Sequence, residues 1–174
     1  TIGNKTTLAD NGTINMTQIE RIAWMFLSNE TRATEILKQY DVTHVVIFIT
    51  FQADEYGTDI GWGEESKWKW MARISERLTG MNDTGYITRE TDESGQTVEN
   101  WNDIGKSTVI YKMIQLGKQN VNTDYGETLD AAVFEQYFSL VYTSFSDPAR
   151  PASEVTRHYS GAFGLVCIFE VKYK

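Results

Sequence analysis

The chain has 174 residues, 41% of them apolar and 13% aromatic, and a formal net charge of −8. That length and composition support one folded domain with its own core and exclude wholesale disorder. The acidic balance argues against nucleic acid as a partner, because a phosphate backbone needs Lys and Arg to neutralise it. No stretch approaches the roughly 20 apolar residues of a membrane span.

Residues 1–16 read as loop, rich in turn formers such as Gly3, Asn4, Asp10, Asn11 and Gly12. Thr1-Ile2-Gly3-Asn4 offers neither an initiator Met nor a basic or apolar leader, so the chain reads as an excised piece. Thr17-x-x-Glu20 has the pattern of a capping box, and Ile19, Ile22, Ala23, Phe26 and Leu27 follow at helical spacing. They predict a helix over 17–28. A second helix is expected over 31–39, capped by Asn29 or Thr31, with Ala33, Ile36 and Leu37 inward. The β-branched and apolar run 43–50 predicts a central strand buried on both faces.

Residues 52–63 form a polar loop punctuated by Gly57, Gly61 and Gly63, with glycines that leave a gating role open. Residues 64–78 read as helix, carrying Trp68, Met71, Ile74 and Leu78 near helical period. The polar stretch 79–106 is expected to be an exposed excursion. Residues 107–115 alternate well enough for a strand, and 117–127 read as loop. A short helix at 129–134, a strand at 138–145, a loop at 146–161 with Pro148 and Pro151, and a closing strand at 162–173 complete the chain. The expected class is a mixed α/β fold in a single domain, with helices mainly in the first half.

Cys167 is the only cysteine and sits in an apolar run, so it reads as a buried inert thiol without a disulfide. With His44 and His158 the only histidines, a Cys/His zinc site is not expected. Asn-x-Thr occurs five times, at Asn4, Asn11, Asn15, Asn29 and Asn82. Such pairs suit turns and helix caps, and they equally suit a glycosylated surface outside the cytoplasm.

Glu64, Lys67 and Met71 follow one another at spacings of three and four, which puts a carboxylate, an ammonium and a thioether on one helix face. Taken alone, that is an ordinary surface ion pair beside a core methionine. Trp62, Trp68 and Trp70 read as core anchors. The adjacent acids Asp54, Glu55 and Glu64, Glu65 read as solvated rather than as a glycosidase pair.

Two segments together give these residues a further meaning. The first is Asn4-Lys5-Thr6-Thr7-Leu8-Ala9-Asp10-Asn11-Gly12-Thr13, followed by Asn15-Met16-Thr17-Gln18-Ile19 and Phe26-Leu27-Ser28-Asn29-Glu30. The second is Glu64-Glu65-Ser66-Lys67-Trp68-Lys69-Trp70-Met71, which fits an Asp-x-x-Lys-x-x-x-Met pattern with Glu64 in the Asp position. They resemble the C-terminal soluble domain of archaeal oligosaccharyltransferase catalytic subunits, in a compact form. The resemblance is clear over residues 3–75 and weak afterwards. The family's Trp-Trp-Asp-Tyr-Gly signature is absent from this sequence.

The resemblance implies a domain that reads acceptor polypeptides bearing Asn-x-Ser/Thr. The larger enzyme would transfer a glycan to the asparagine from a lipid-linked oligosaccharide. Glu64, Lys67 and Met71 would line the pocket for the acceptor Ser or Thr. Catalytic acids and a divalent cation, Mn or Mg, would belong to the membrane half. This fragment would then hold no metal or catalytic residue, be inactive alone and lie on the extracellular side of the cell membrane. A secreted or cell-envelope glycoprotein module without catalytic activity is the alternative reading. A soluble glycoside hydrolase is a third.

Overall fold

Asn15 starts the first helix: its Oδ1 accepts from the Gln18 amide at 3.2 Å, and α1 runs Met16–Phe26. The expected capping box at Thr17 is therefore displaced, because Thr17 already lies inside the first turn. The computed structural model describes residues 7–8, 15–129, 131–145, 157–158 and 161–173. Asn29 caps α2 (Glu30–Lys38) through the Arg32 amide at 3.0 Å, and Ala33, Ile36 and Leu37 face inward. Asp41 then takes a φ of 52°, the left-handed region that Asp tolerates, and the chain turns into β1 (His44–Gln52).

The remaining elements follow in order. They are α3 (Glu64–Thr79), a 3-10 turn at Asp83–Tyr86, β2 (Ile87–Thr91), β3 (Thr97–Trp101), α4 (Asp103–Lys106) and α5 (Val109–Val121). After them come α6 (Ala131–Phe134), β4 (Phe138–Thr143), β5 (Arg157–His158) and β6 (Ala162–Val171). The fold is mixed α/β, as expected. Its main sheet is antiparallel in the order β1-β6-β4, with β5 pairing the start of β6.

Strand β1 departs from expectation. Among the described residues it lies at a sheet edge rather than in the centre, and its burial alternates. Val45, Ile47, Ile49 and Phe51 face the core, whereas Val46 and Phe48 face outward at 59% and 38% exposure. The outward positions are apolar too, so the run looks doubly buried in sequence although one face alone is covered.

The segment 107–115 is also corrected, from strand to helix. Thr108 caps α5, and Val109, Ile110, Met113, Ile114 and Gly117 all turn inward at helical spacing. The β-branched Val109 and Ile110 favour a strand locally, but burial of a helical stripe outweighs that preference. Gly117 lets α5 cross close over the sheet, where a Cβ would meet Cys167 Sγ at 2.8 Å and Ile49 Cδ1 at 3.0 Å. Within 79–106 the chain forms the β2–β3 hairpin, turned by Asp92, whose Oδ1 accepts from the Ser94 and Gln96 amides at 2.9 Å each. The hairpin is largely exposed, as an excursion would be. At its base Trp101 packs against Trp68 with ring centroids 4.2 Å apart. Pro148 and Pro151 lie outside the described residues.

Candidate functional site

The site is a junction where β1 ends, a loop returns, and α3 begins. The loop 53–63 is stitched down at several points. The Gln52 amide donates to Thr58 O at 2.7 Å, and the Ile60 amide to Thr50 O at 3.2 Å. Asp54 Oδ1 accepts from the Tyr56 and Thr58 amides at 3.0 Å each. Gly57, with a φ of 62°, lies so close to the Tyr125 ring that a Cβ would stand 2.9 Å from it. Asp59 pairs with Lys118, a lysine only 4% exposed on α5. Burial raises the Asp59 carboxyl above its usual range, and the Lys118 ammonium offsets that only in part. These ties hold the loop to the core.

Strand β1 has an open edge whose amides need acceptors. Two consecutive carboxylates at the start of α3 supply them. Glu64 Oε2 accepts from the Phe48 amide at 2.5 Å, and Glu65 Oε2 accepts from the Thr50 amide at 3.0 Å. The second oxygen of Glu65 accepts from Thr50 Oγ1 and from the Gly63 amide, the latter at 2.8 Å. Thr50 Oγ1 in turn accepts from the Trp62 amide at 3.0 Å. Ser66 Oγ closes the turn by donating to Gly61 O at 2.8 Å and Gly63 O at 3.1 Å. Gly63 is the only residue that fits there. A Cβ would fall against Phe48 O and the Glu65 carboxylate, and 2.8 Å from Ile49 Cα.

The expected trio divides between surface and core. Glu64 and Lys67 come together, Oε1 to Nζ 3.2 Å, with the Glu64 side chain 17% exposed and that of Lys67 54% exposed. Met71, one turn further, is half-buried and packs against the core. An ammonium has three protons to donate. The pair with Glu64 therefore steadies Lys67 and leaves donors facing solvent for an oxygen ligand.

Other expectations are corrected. Trp68 is a core residue at 4% exposure, but Trp62 and Trp70 stand 61% and 64% exposed. The Arg73 guanidinium lies over the Trp70 ring, 5.4 Å from its centre. Glu65, read from sequence as solvated, is 8% exposed. Glu65, Thr50 and Gly63 are what sequence reasoning missed. The available signal was Gly63 itself: a glycine N-cap has no side-chain oxygen, and an adjacent acid is a ready acceptor for its amide.

Among the sequon asparagines, Asn15 and Asn29 cap helices. The Oδ1 of Asn82 accepts from the Thr84 amide at 3.1 Å and from Thr84 Oγ1 at 2.7 Å. Asn4 and Asn11 lie outside the described residues. Cys167 is fully buried, and burial pushes its thiol up to about 12. Among the described residues, no group of three or more His, Cys, Asp or Glu side chains is gathered as metal ligands. Nor is any helix among them long and apolar enough to cross a membrane.

No family model matches the chain. It is 38% identical over 79 residues to the dolichyl-diphosphooligosaccharide–protein glycosyltransferase subunit STT3 of Saccharomyces cerevisiae, covering 44% of this chain and 10% of that one. To subunit stt-3 of Caenorhabditis elegans it is 26% identical over 174 aligned residues, 86% of this chain and 22% of the relative. To subunit stt3 of Schizosaccharomyces pombe it is 33% identical over 79 residues, 44% of this chain and 10% of the relative. The chain thus spans between 10% and 22% of the length of these three relatives, and over that part it is similar to the STT3 subunits of protein glycosyltransferases.

Proposed function

We propose that this chain is the acceptor-reading, C-terminal part of an oligosaccharyltransferase catalytic subunit. In this reading Lys67 hydrogen-bonds the hydroxyl of an acceptor Asn-x-Ser/Thr, and Met71 offers apolar contact to the Thr methyl. Glu64 holds the ammonium in place. The observation that carries the reading is the Glu64–Lys67 pair on α3, in a chain similar to STT3 subunits. The energetic logic is that of rejection. An acceptor lacking the hydroxyl would desolvate Lys67 without replacing the lost hydrogen bonds, which costs about 1–3 kcal/mol or more for a charged donor.

The same reading assigns the glycan donor, a lipid-linked oligosaccharide, to the membrane half of the enzyme. It assigns the Mn or Mg ion there too. This domain would face the extracellular side, in an enzyme of the compact archaeal type. The five sequon asparagines would be exposed to modification on that side, and at Asn15, Asn29 and Asn82 the cap uses Oδ1 and leaves the amide nitrogen to carry a glycan.

The test is glycan transfer by the complete protein encoded by the gene, with lipid-linked donor and peptide acceptors. Lys67→Ala should raise the acceptor KM by about tenfold or more, and Met71→Ala should narrow the preference for Thr over Ser acceptors. An unchanged acceptor KM in Lys67→Ala would refute the reading, whereas no transfer at all by the complete protein would favour a non-catalytic envelope module. Transfer by the isolated 174 residues would refute the division of labour.

A further inference from the structure

We propose that Glu65, together with Thr50, is a positioning residue for the acceptor site: it fixes the first turn of α3 against β1 and so sets where the Lys67 ammonium stands. The proposal rests on the role given to Lys67 above. Glu65 is buried, and its carboxylate joins the three segments that meet at the junction. It accepts from the Thr50 amide at 3.0 Å, from Thr50 Oγ1, and from the Gly63 amide at 2.8 Å. Gly63 brings no side-chain cap, and its own amide, at the start of α3, is taken up by Glu65. Its charge is also favourable near the positive end of that helix.

Glu64 and Glu65 grip the same strand edge two residues apart, at Phe48 and Thr50. Two points of attachment fix both the position and the angle of a helix relative to a strand. With one, only the packing of Trp68 and Ala72 behind it holds the angle of the first turn. Lys67 follows Glu65 by two residues, so a pivot at the first turn displaces its ammonium. A shift on the order of 1 Å in a positioning group costs as much as a hundredfold in rate.

Glu65→Gln preserves the volume and opens the clamp. A Gln amide has one acceptor oxygen and one donor nitrogen. Whichever way it turns, its NH2 meets either the Thr50 or the Gly63 amide, donor against donor. Thr50→Val keeps the shape of Thr50 and removes its hydroxyl, whereas Thr50→Ser keeps the hydroxyl.

The experiment measures glycan transfer by the complete protein in membranes, varying the peptide acceptor. Glu65→Gln and Thr50→Val should each raise the acceptor KM about tenfold, with the donor KM unchanged. Thr50→Ser should stay within about twofold of wild type. In a Lys67→Ala background Glu65→Gln should add no further rise, because its effect passes through Lys67. An equal rise with and without Lys67 would overturn the proposal. So would a lowered melting temperature with an unchanged KM, which marks a purely structural residue. Failure of the acceptor reading looks different: Lys67→Ala itself would leave the KM unchanged. If Glu65→Gln does not fold, the contrast between Thr50→Val and Thr50→Ser decides the matter.

Discussion

Gly63→Ala is the substitution that most directly tests the geometry of the β1–α3 junction. Its backbone lies at φ −111° and ψ −159°, an extended conformation that alanine adopts freely, so backbone strain is not the issue. The added methyl would press on Phe48 O and the Glu65 carboxylate and stand 2.8 Å from Ile49 Cα. Phe48 and Ile49 cannot yield, because the ladder to Val166 and Leu165 of β6 holds them. The start of α3 must withdraw instead, by roughly half an ångström or more to restore normal van der Waals separation. Overpacking of this kind costs about 1–3 kcal/mol. Weakening the Glu65 hydrogen bonds adds about 1 kcal/mol. A total near 3 kcal/mol lowers the melting temperature of a chain this size by about 6–12 °C.

The control is Gly80→Ala at the other end of the same helix. Gly80 has a φ of 71° and nothing within 4 Å of a new Cβ, so it carries only left-handed strain, about 1 kcal/mol. Urea unfolding followed by tryptophan fluorescence compares the two. Should Gly63→Ala cost no more than Gly80→Ala, the β1–α3 junction is not crowded at Gly63 and the reasoning is refuted.

The remaining predictions concern the core and the surface around it. Trp68→Ala should cost about 3–5 kcal/mol and Trp70→Ala less than about 0.5 kcal/mol, read from urea midpoints; equal costs would contradict the opposite burial of the two rings. Cys167 should resist a small thiol reagent at about pH 8 until the chain is unfolded, and rapid modification in native buffer would contradict its buried, raised thiol. Lys69 and then Arg89 hold the Glu99 carboxyl below its usual range. A depressed carboxylate contributes stability above its unfolded value, and that stability is lost as pH falls through the folded one. Amide protection in the β2–β3 hairpin should therefore drop as pH falls below about 4, and protection that persists to about pH 2 would argue against these ion pairs.

Much of the local structure was legible because it depends on near neighbours. Asn29 announces α2 by capping it, and the inward stripe Ala33, Ile36 and Leu37 follows from helical period alone. The 64–78 helix and the Glu64–Lys67 pair were equally readable, since residues three apart on a helix meet wherever that helix lies. The closing strand through Cys167 was read in the same way, from its apolar run.

Other features depend on partners distant in the chain. Helix α5 overrides the β preference of Val109 and Ile110 because Gly117 must pass over Cys167 and Ile49. Strand β1 reads as central, but among the described residues β6 is its one strand neighbour, which makes it an edge. Helical period set Trp68 apart from Trp70, but its burial is decided by packing against Tyr86 and Trp101, which come from later in the chain. The sequence by itself determined which segments coil and which residues form the Glu64–Lys67 pair, because those are short-range consequences of backbone period. Tertiary structure alone decided that Glu65 is buried at the edge of β1, because an orphan amide finds its acceptor only when strand and helix are brought together in space.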